Sequence, residues 1–153
     1  MGSDELLSPH ALSPRKEVVR AFYQEMWNKA DASLAARLMH ADVTFRGSLG
    51  PQLVGPDAVA GYVRSVTTAL GGYTCDIAHI IEEDDRIAVR LLFHGFHRGV
   101  FMGFAPTGQR VSWAGSAHFT FRDTLIADVW VLGDLHGLIR QLQRHAGGIG
   151  TTP

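Results

Sequence analysis

The sequence predicts an α+β fold, a curved antiparallel sheet with helices packed on its concave face. Three observations lead there. Apolar residues recur at helical spacing up to Leu70 and at alternate positions from Tyr73 onward. The helical patterns come first and the strand patterns follow consecutively, which segregates the two kinds of element. The last strand pattern runs straight into a further amphipathic stretch, so a helix closes the chain.

Each element has its own signal. Ser13-Pro14 opens a first helix with Val18, Val19, Phe22, Met26 and Trp27 on one side. Asp31 is placed to cap a second, with Leu34, Ala35, Leu38 and Met39 as its apolar face. A first strand is expected over residues 43–49, closed by Gly50-Pro51. Gly55-Pro56-Asp57 starts a third helix carrying Val59, Tyr62, Val63, Val66 and Leu70, with Gly71-Gly72 expected to end it. Strands over residues 73–82, 86–97 and 110–122 form a meander, with a turn at Glu83-Asp84-Asp85 and a longer loop over residues 102–109. A turn at Arg122-Asp123-Thr124 gives the last strand, and a helix over residues 135–145 closes the fold. Residues 1–14 read as a disordered lead and residues 147–153 as a flexible tail, around one domain over residues 15–146.

Composition narrows the function. With 153 residues, 46% hydrophobic and 19% charged, the chain suits a globule with a real core. A net charge of -1 with scattered basic residues leaves no footprint for nucleic acid or an anionic membrane. The single cysteine, Cys75, excludes an intrachain disulfide, fits a cytoplasmic protein and reads as a small core hydrophobe. There is no Cys/His cluster and no helical histidine pair with an acidic partner, so a metal site is not expected. The glycine-rich stretches over residues 47–50 and 103–108 lack the strand–loop–helix setting of phosphate binding and read as turns and pocket-mouth loops.

The run over residues 126–142 holds the chemistry. Alternation places Ile126, Asp128, Trp130, Leu132 and Asp134 on one strand face. A carboxylate among hydrocarbon is costly to ionise, which raises its pKa towards the range useful for proton transfer. Asp134, at the strand end, is the expected catalytic residue; its competing role is an N-cap for the helix that starts at Leu135. His118 shares the polar parity of its strand with Ser112, Ser116 and Thr120, so it faces away from the helices if Val111, Trp113, Ala117 and Phe119 face them. His94 and His97 lie on opposite faces of one strand, so at most one enters a pocket. Asp128 and Arg46 are open between pocket and surface; an inward Arg46 would hold a carboxylate, ester or phenolate. Tyr23, Trp27, Phe45, Tyr62, Trp113 and Trp130 are the expected walls of an apolar small-molecule pocket. Aromatic and apolar residues left on the outer sheet face predict a homodimer through the sheet.

Several motifs resemble the SnoaL-like polyketide cyclase (ester cyclase) family of NTF2-like, cone-shaped α+β folds. They are Phe22-Tyr23-Gln24-Glu25-Met26-Trp27-Asn28 in the opening helix, Gly95-Phe96-His97-Arg98-Gly99 followed by Gly103-Phe104-Ala105-Pro106-Thr107-Gly108, and the closing Trp130 to Asp134 and Gly137 to Leu142. The resemblance implies intramolecular aldol cyclisation of an aromatic polyketide ester, or a related isomerisation, without metal or organic cofactor. It implies Asp134 as the general acid/base, by the W-x-x-x-D motif, and draws His97 into the signature hairpin. Two positions depart from the pattern. Phe45-Arg46-Gly47 stands where many members carry a histidine, and the histidine expected near the aspartate has no match at Leu132. A polyketide-tailoring hydroxylase component and a non-catalytic, dimeric ligand-binding module are the competing functions.

Overall fold

The computed structural model describes residues 12–150, so the expected lead over residues 1–11 and the last three residues lie outside the described ones. Helix α1 (Pro14–Arg20) continues as a π-helical segment (Ala21–Trp27), and a 3-10 turn (Ala32–Leu34) leads into a single turn, α2 (Ala35–Leu38). Strands β1 (Met39–Arg46) and β2 (Gln52–Val54) precede α3 (Pro56–Ala69). Then come β3 (Leu70–Glu83), β4 (Arg86–His97), β5 (Arg110–Arg122), β6 (Leu125–Gly133) and α4 (Leu135–Gly150). The fold is α+β, a curved open sheet of six strands in the order β2-β1-β6-β5-β4-β3. No helix among the described residues is long and apolar enough to cross a membrane.

Local chemistry explains most of the boundaries. Ser13 caps α1 by accepting from the Lys16 N–H at 3.1 Å, with Pro14 in the first turn where no intrahelical donor is needed. The π-helical segment widens the next turns, as in the 2.9 Å bond from the Asn28 N–H to the Tyr23 carbonyl five residues back. That widening brings Phe22, Tyr23, Met26 and Trp27 into the core together.

Several expectations are corrected. Asp31 makes no capping bond; its carboxylate accepts from Ser33 Oγ instead, and the second helix shrinks to two short turns because Met39 is drawn into β1 and buried. The first strand therefore starts four residues early, and it pairs in parallel with β6, a contact between chain ends that no local pattern announces. Gly50-Pro51 does not end the sheet, since β2 follows and pairs antiparallel with β1. Gly71 and Gly72 do not terminate α3 but lie inside β3, where the register to β4 shifts between Gly71 and Thr74 and Gly72 takes φ +62°. Helix α4 runs on to Gly150, so Gly147 and Gly148 are helical and not a frayed tail.

The decisive correction is in β6. Thr120 pairs with Asp128 but Phe121 pairs with Ile126, so β6 holds one extra residue. A one-residue insertion swaps the face of everything beyond it. Ile126 is fully buried, and after the bulge Val129 and Val131 take the core side. Asp128, Trp130 and Leu132 are turned to the outer face, not into the cone.

The core sits between the concave face and the helices. Phe22 meets Phe119 edge-on at 5.1 Å and Phe45 at 6.4 Å, and Phe93 lies 5.3 Å from Trp113. Two side-chain amides finish the exposed sheet edges. Asn28 donates to the Cys75 carbonyl at 3.3 Å and accepts its N–H at 2.8 Å, pinning β3 to the opening helix. Beyond the end of β6, Gln141 does the same for Ser112 on β5, at 2.6 and 3.0 Å. Both residues stand in the motifs singled out above, and backbone pairing is what their position requires.

Candidate functional site

One cavity opens between the helices and the concave face. It is lined by Phe22, Tyr23 and Trp27 from the π-helical segment, Phe45, Gly47 and Ser48 from β1 and its loop, Tyr62 from α3, and Tyr73, Cys75, Phe93 and Val131 from the sheet. It carries no charged side chain. Counting its open mouth it spans ≈ 300 Å³, but it is narrow, leaving only ≈ 20 Å³ for the centre of a water molecule. Tyr62 and Ser48 are the half-buried polar members of the lining and mark the mouth. Rings stack along it, with Trp27 5.8 Å from Tyr62 and 5.3 Å from Tyr73, and Phe45 5.4 Å from Tyr62.

Four of the six expected wall residues, Tyr23, Trp27, Phe45 and Tyr62, line this cavity. Trp113 stands behind the lining, packed against Tyr73 at 6.2 Å and Phe101 at 6.1 Å. Trp130 is not a wall: it lies 40% exposed on the outer face, between the Arg46 guanidinium at 5.2 Å and the His118 ring at 5.8 Å. The sequence reading missed Phe22, Tyr73, Cys75, Phe93 and Val131 as lining. Tyr73, Cys75 and Phe93 share the buried parity of their strands, so alternation held that signal, whereas Val131 reaches the cavity only because of the bulge.

The candidate polar residues are dispersed. Arg46 is on the outer face and donates to the Val131 carbonyl at 2.8 Å, so it does not enter the pocket. Asp128, also outside, accepts from Thr44 Oγ1. His118 is exposed on the outer face, as its parity predicts. His94 pairs with Asp76 at 2.9 Å on that same face. His97 takes the inner side and is fully buried, yet both ring nitrogens are engaged, Nδ1 with Thr107 Oγ1 and Nε2 with the Phe104 carbonyl, each at 3.2 Å. It ties the hairpin loop to β4 and is absent from the cavity lining. Among the described residues no group of three or more His, Cys, Asp or Glu side chains converges as a metal would need.

Asp134 occupies the first position after β6. Its N–H completes the ladder to the Ala114 carbonyl at 2.9 Å, and its carboxylate accepts from the Gly137 N–H at 2.9 Å, capping α4. The side chain is exposed, so the hydrocarbon enclosure assumed from sequence is not there. Its neighbour Gly133 touches the cavity's mouth: a Cβ there would lie 2.8 Å from Ser48 Cβ and 3.2 Å from Trp113 Nε1. The Asp134 Cα lies one peptide, about 3.8 Å, further along the chain.

Burial dominates the acid–base behaviour of the lining. Desolvation pushes the hydroxyls of Tyr23 and Tyr73 well above the usual phenol range, Tyr62 up to about 12, and the Cys75 thiol upward as well. All four groups stay protonated, and neutral, at physiological pH.

The comparisons with known proteins agree with this geometry. The SnoaL-like polyketide cyclase family model matches residues 17–142. The chain belongs to that family. No curated protein matches it. Among solved structures it is similar to AclR, a candidate hydroxylase of Streptomyces galilaeus, at 25% identity and TM-score 0.74, covering 85% of each chain. It is also similar to IdmH, a candidate polyketide cyclase of Streptomyces antibioticus, at 20% identity and TM-score 0.74, covering 86% of this chain and 99% of that one. A protein of Catenulispora acidiphila with a ketosteroid isomerase-like fold superposes with TM-score 0.72 at 15% identity, covering 83% and 92%. The last two likenesses are of fold.

Proposed function

We propose that this SnoaL-like protein is a polyketide-tailoring enzyme that takes an aromatic, polyketide-like molecule into the cavity and moves protons on it through Asp134. The observation that carries the reading is the close packing of Gly133 on Ser48 of the lining, where a Cβ would lie 2.8 Å from the Ser48 Cβ, with the motif aspartate the next residue in the chain. The substrate's ring system enters between the aromatic walls, which part to admit it because the cavity as it stands has room for little more than one water, and its reactive end projects to the rim. There the Asp134 carboxylate removes a proton from a methylene between two carbonyls. The enolate carbon attacks the second carbonyl to form the carbon–carbon bond, and the carboxylic acid returns its proton to the new alkoxide. Such methylenes are already acidic, so general acid/base action of about 10²–10⁴-fold, added to orientation, suffices. No cofactor takes part in these steps. Isomerisation by the same proton transfer is the nearest variant.

The second reading, a ligand-binding module without catalysis, is favoured by the capping bond from Gly137, which gives Asp134 a structural task. Asp134→Asn separates the two, because asparagine caps a helix about as well as aspartate. With an aromatic polyketide methyl ester as substrate, the variant is expected to fold as the parent does and lose at least a hundredfold in cyclisation rate, followed by loss of the methylene signal in NMR. Turnover at the parent's rate assigns Asp134 to capping alone. Turnover that depends on an added reductase or flavin assigns hydroxylation instead.

We further propose that the protein is a cytoplasmic homodimer joined through the outer sheet face. The support is the buried Cys75 thiol, free of any disulfide, and the exposed Leu92, Phe96, Trp130 and Leu132 on that face.

A further inference from the structure

All three tyrosines of the chain and its only cysteine line the cavity. Their polar atoms are differently occupied. Tyr62 Oη accepts from the Leu49 N–H at 3.4 Å, and the Tyr73 hydroxyl is influenced by the nearby Cys75 thiol, which helps to raise its pKa. Tyr23 Oη has no partner among the described residues, although the residue is only 2% exposed. An unpaired buried hydroxyl is costly, because it gives up its hydrogen bonds to water and gains none in return. Phenylalanine would fill the same space without that cost, and the neighbours Phe22, Phe45 and Phe119 show how readily this core takes it. The π-helical segment places Tyr23 in the cavity lining beside Trp27, so the orphan donor is carried by a residue of the ligand-facing surface. A second orphan donor, Trp113 Nε1, lies at the Gly133–Ser48 end.

We propose that Tyr23 Oη is the recognition donor of this cavity, binding a neutral acceptor oxygen, a ring ketone or ester carbonyl, on an aromatic ligand. The lining supplies no cation, so a carboxylate or phenolate would be desolvated without compensation. A carbonyl needs only a neutral donor, which burial keeps the phenol across the physiological range. When a carbonyl is enolised, the same donor stabilises the negative charge on its oxygen. The proposal rests on the cavity being the ligand site.

The test uses the full-length protein and two probes of one skeleton, 1-tetralone and tetralin, titrated calorimetrically into the parent and into Tyr23→Phe. The parent is expected to bind the ketone about tenfold more tightly than the hydrocarbon, the size of one neutral hydrogen bond. Tyr23→Phe is expected to bind both within twofold of the parent's tetralin affinity, and to melt at the same temperature or higher. A ketone preference that survives in the variant, or a melting temperature lowered by several degrees, overturns the role of Tyr23. Equal binding of the two probes by the parent overturns it while leaving the cavity a ligand site. Binding of neither probe overturns the cavity reading and the donor together.

Discussion

The two faces of the sheet divide the molecule's chemistry. On the inner face the cavity's polar side chains are uncharged, three phenols, a thiol, the Ser48 hydroxyl and the Trp27 indole, with the Trp113 indole behind them and His97 bonded into the hairpin loop. On the outer face the polar groups are ionisable and pair within the sheet surface, as Asp128 does with Thr44, His94 with Asp76, and Arg46 with Trp130. The lesson is one of solvation. On the proposed reading, the cone would select a ligand by shape and one neutral hydrogen bond, and a proton carrier would have to come from outside the uncharged lining. Asp134 is exposed just past the end of β6.

The comparison is broken most directly by cutting the inner face. Phe119 is fully buried on β5, 5.1 Å from Phe22 and 5.9 Å from Tyr23. Phe119→Ala is expected to cost about 3–5 kcal/mol, from lost transfer energy and the hole left beneath the π-helical segment. Its chain neighbour on the other face, His118, is expected to cost under about 0.5 kcal/mol when changed to alanine. Urea midpoints at constant m-value read both. Equal losses would mean that the outer face is as tightly packed as the core.

Much of this division was legible in the sequence, and its failure is instructive. Parity along β5 put His118 outside and Trp113 and Phe119 inside, and parity along β4 put His94 and His97 on opposite faces without saying which one enters; both patterns hold because the two strands pair in unbroken register over eleven consecutive rungs. Parity along β6 failed at a single step. The bulge opposite Thr120 and Phe121 reverses every later side chain, and nothing in Ile126-Ala127-Asp128 announces it. So Trp130 was read as a wall and Asp134 as a buried acid, when both are exposed to water. The parallel pairing of β1 with β6 escaped for a related reason: it joins distant segments, and periodicity carries no information on partner choice. The motif aspartate survived the error, since its place at the strand end depends on chain order and not on parity.

A second test sharpens the contrast through pH. The Tyr62 hydroxyl ionises near 12 in the folded protein, against about 10 in an unfolded chain. Tyr23, Tyr73 and Cys75 are shifted in the same direction by burial. Above pH 10 the unfolded chain therefore holds fewer protons than the folded one, and stability falls as pH rises. Tyr62 alone accounts for a loss of order 2 kcal/mol by pH 12. Urea titrations between pH 8 and 11.5 are expected to show this decline with phenolate absorbance appearing only on unfolding. Phenolate absorbance rising near pH 10 in the folded protein would mean that water reaches the lining freely.

The smallest expected effect on the protomer, and the sharpest on assembly, comes from charging the outer face. Leu132 is 53% exposed there, one register row from Trp130 and with Leu92 nearby on β4. In an isolated protomer Leu132→Glu replaces one solvated side chain by another, so its urea midpoint at submicromolar concentration is expected to stay within about 0.5 kcal/mol of the parent's. If two copies bury this face against each other, the same change places two like charges in an apolar contact, where pairing is lost and desolvation is not repaid. Sedimentation at micromolar concentration is then expected to show a dimer for the parent and a monomer for the variant. A monomeric parent, or a dimer that survives the added charges, removes the outer face as the contact, and the exposed aromatic there would need another partner.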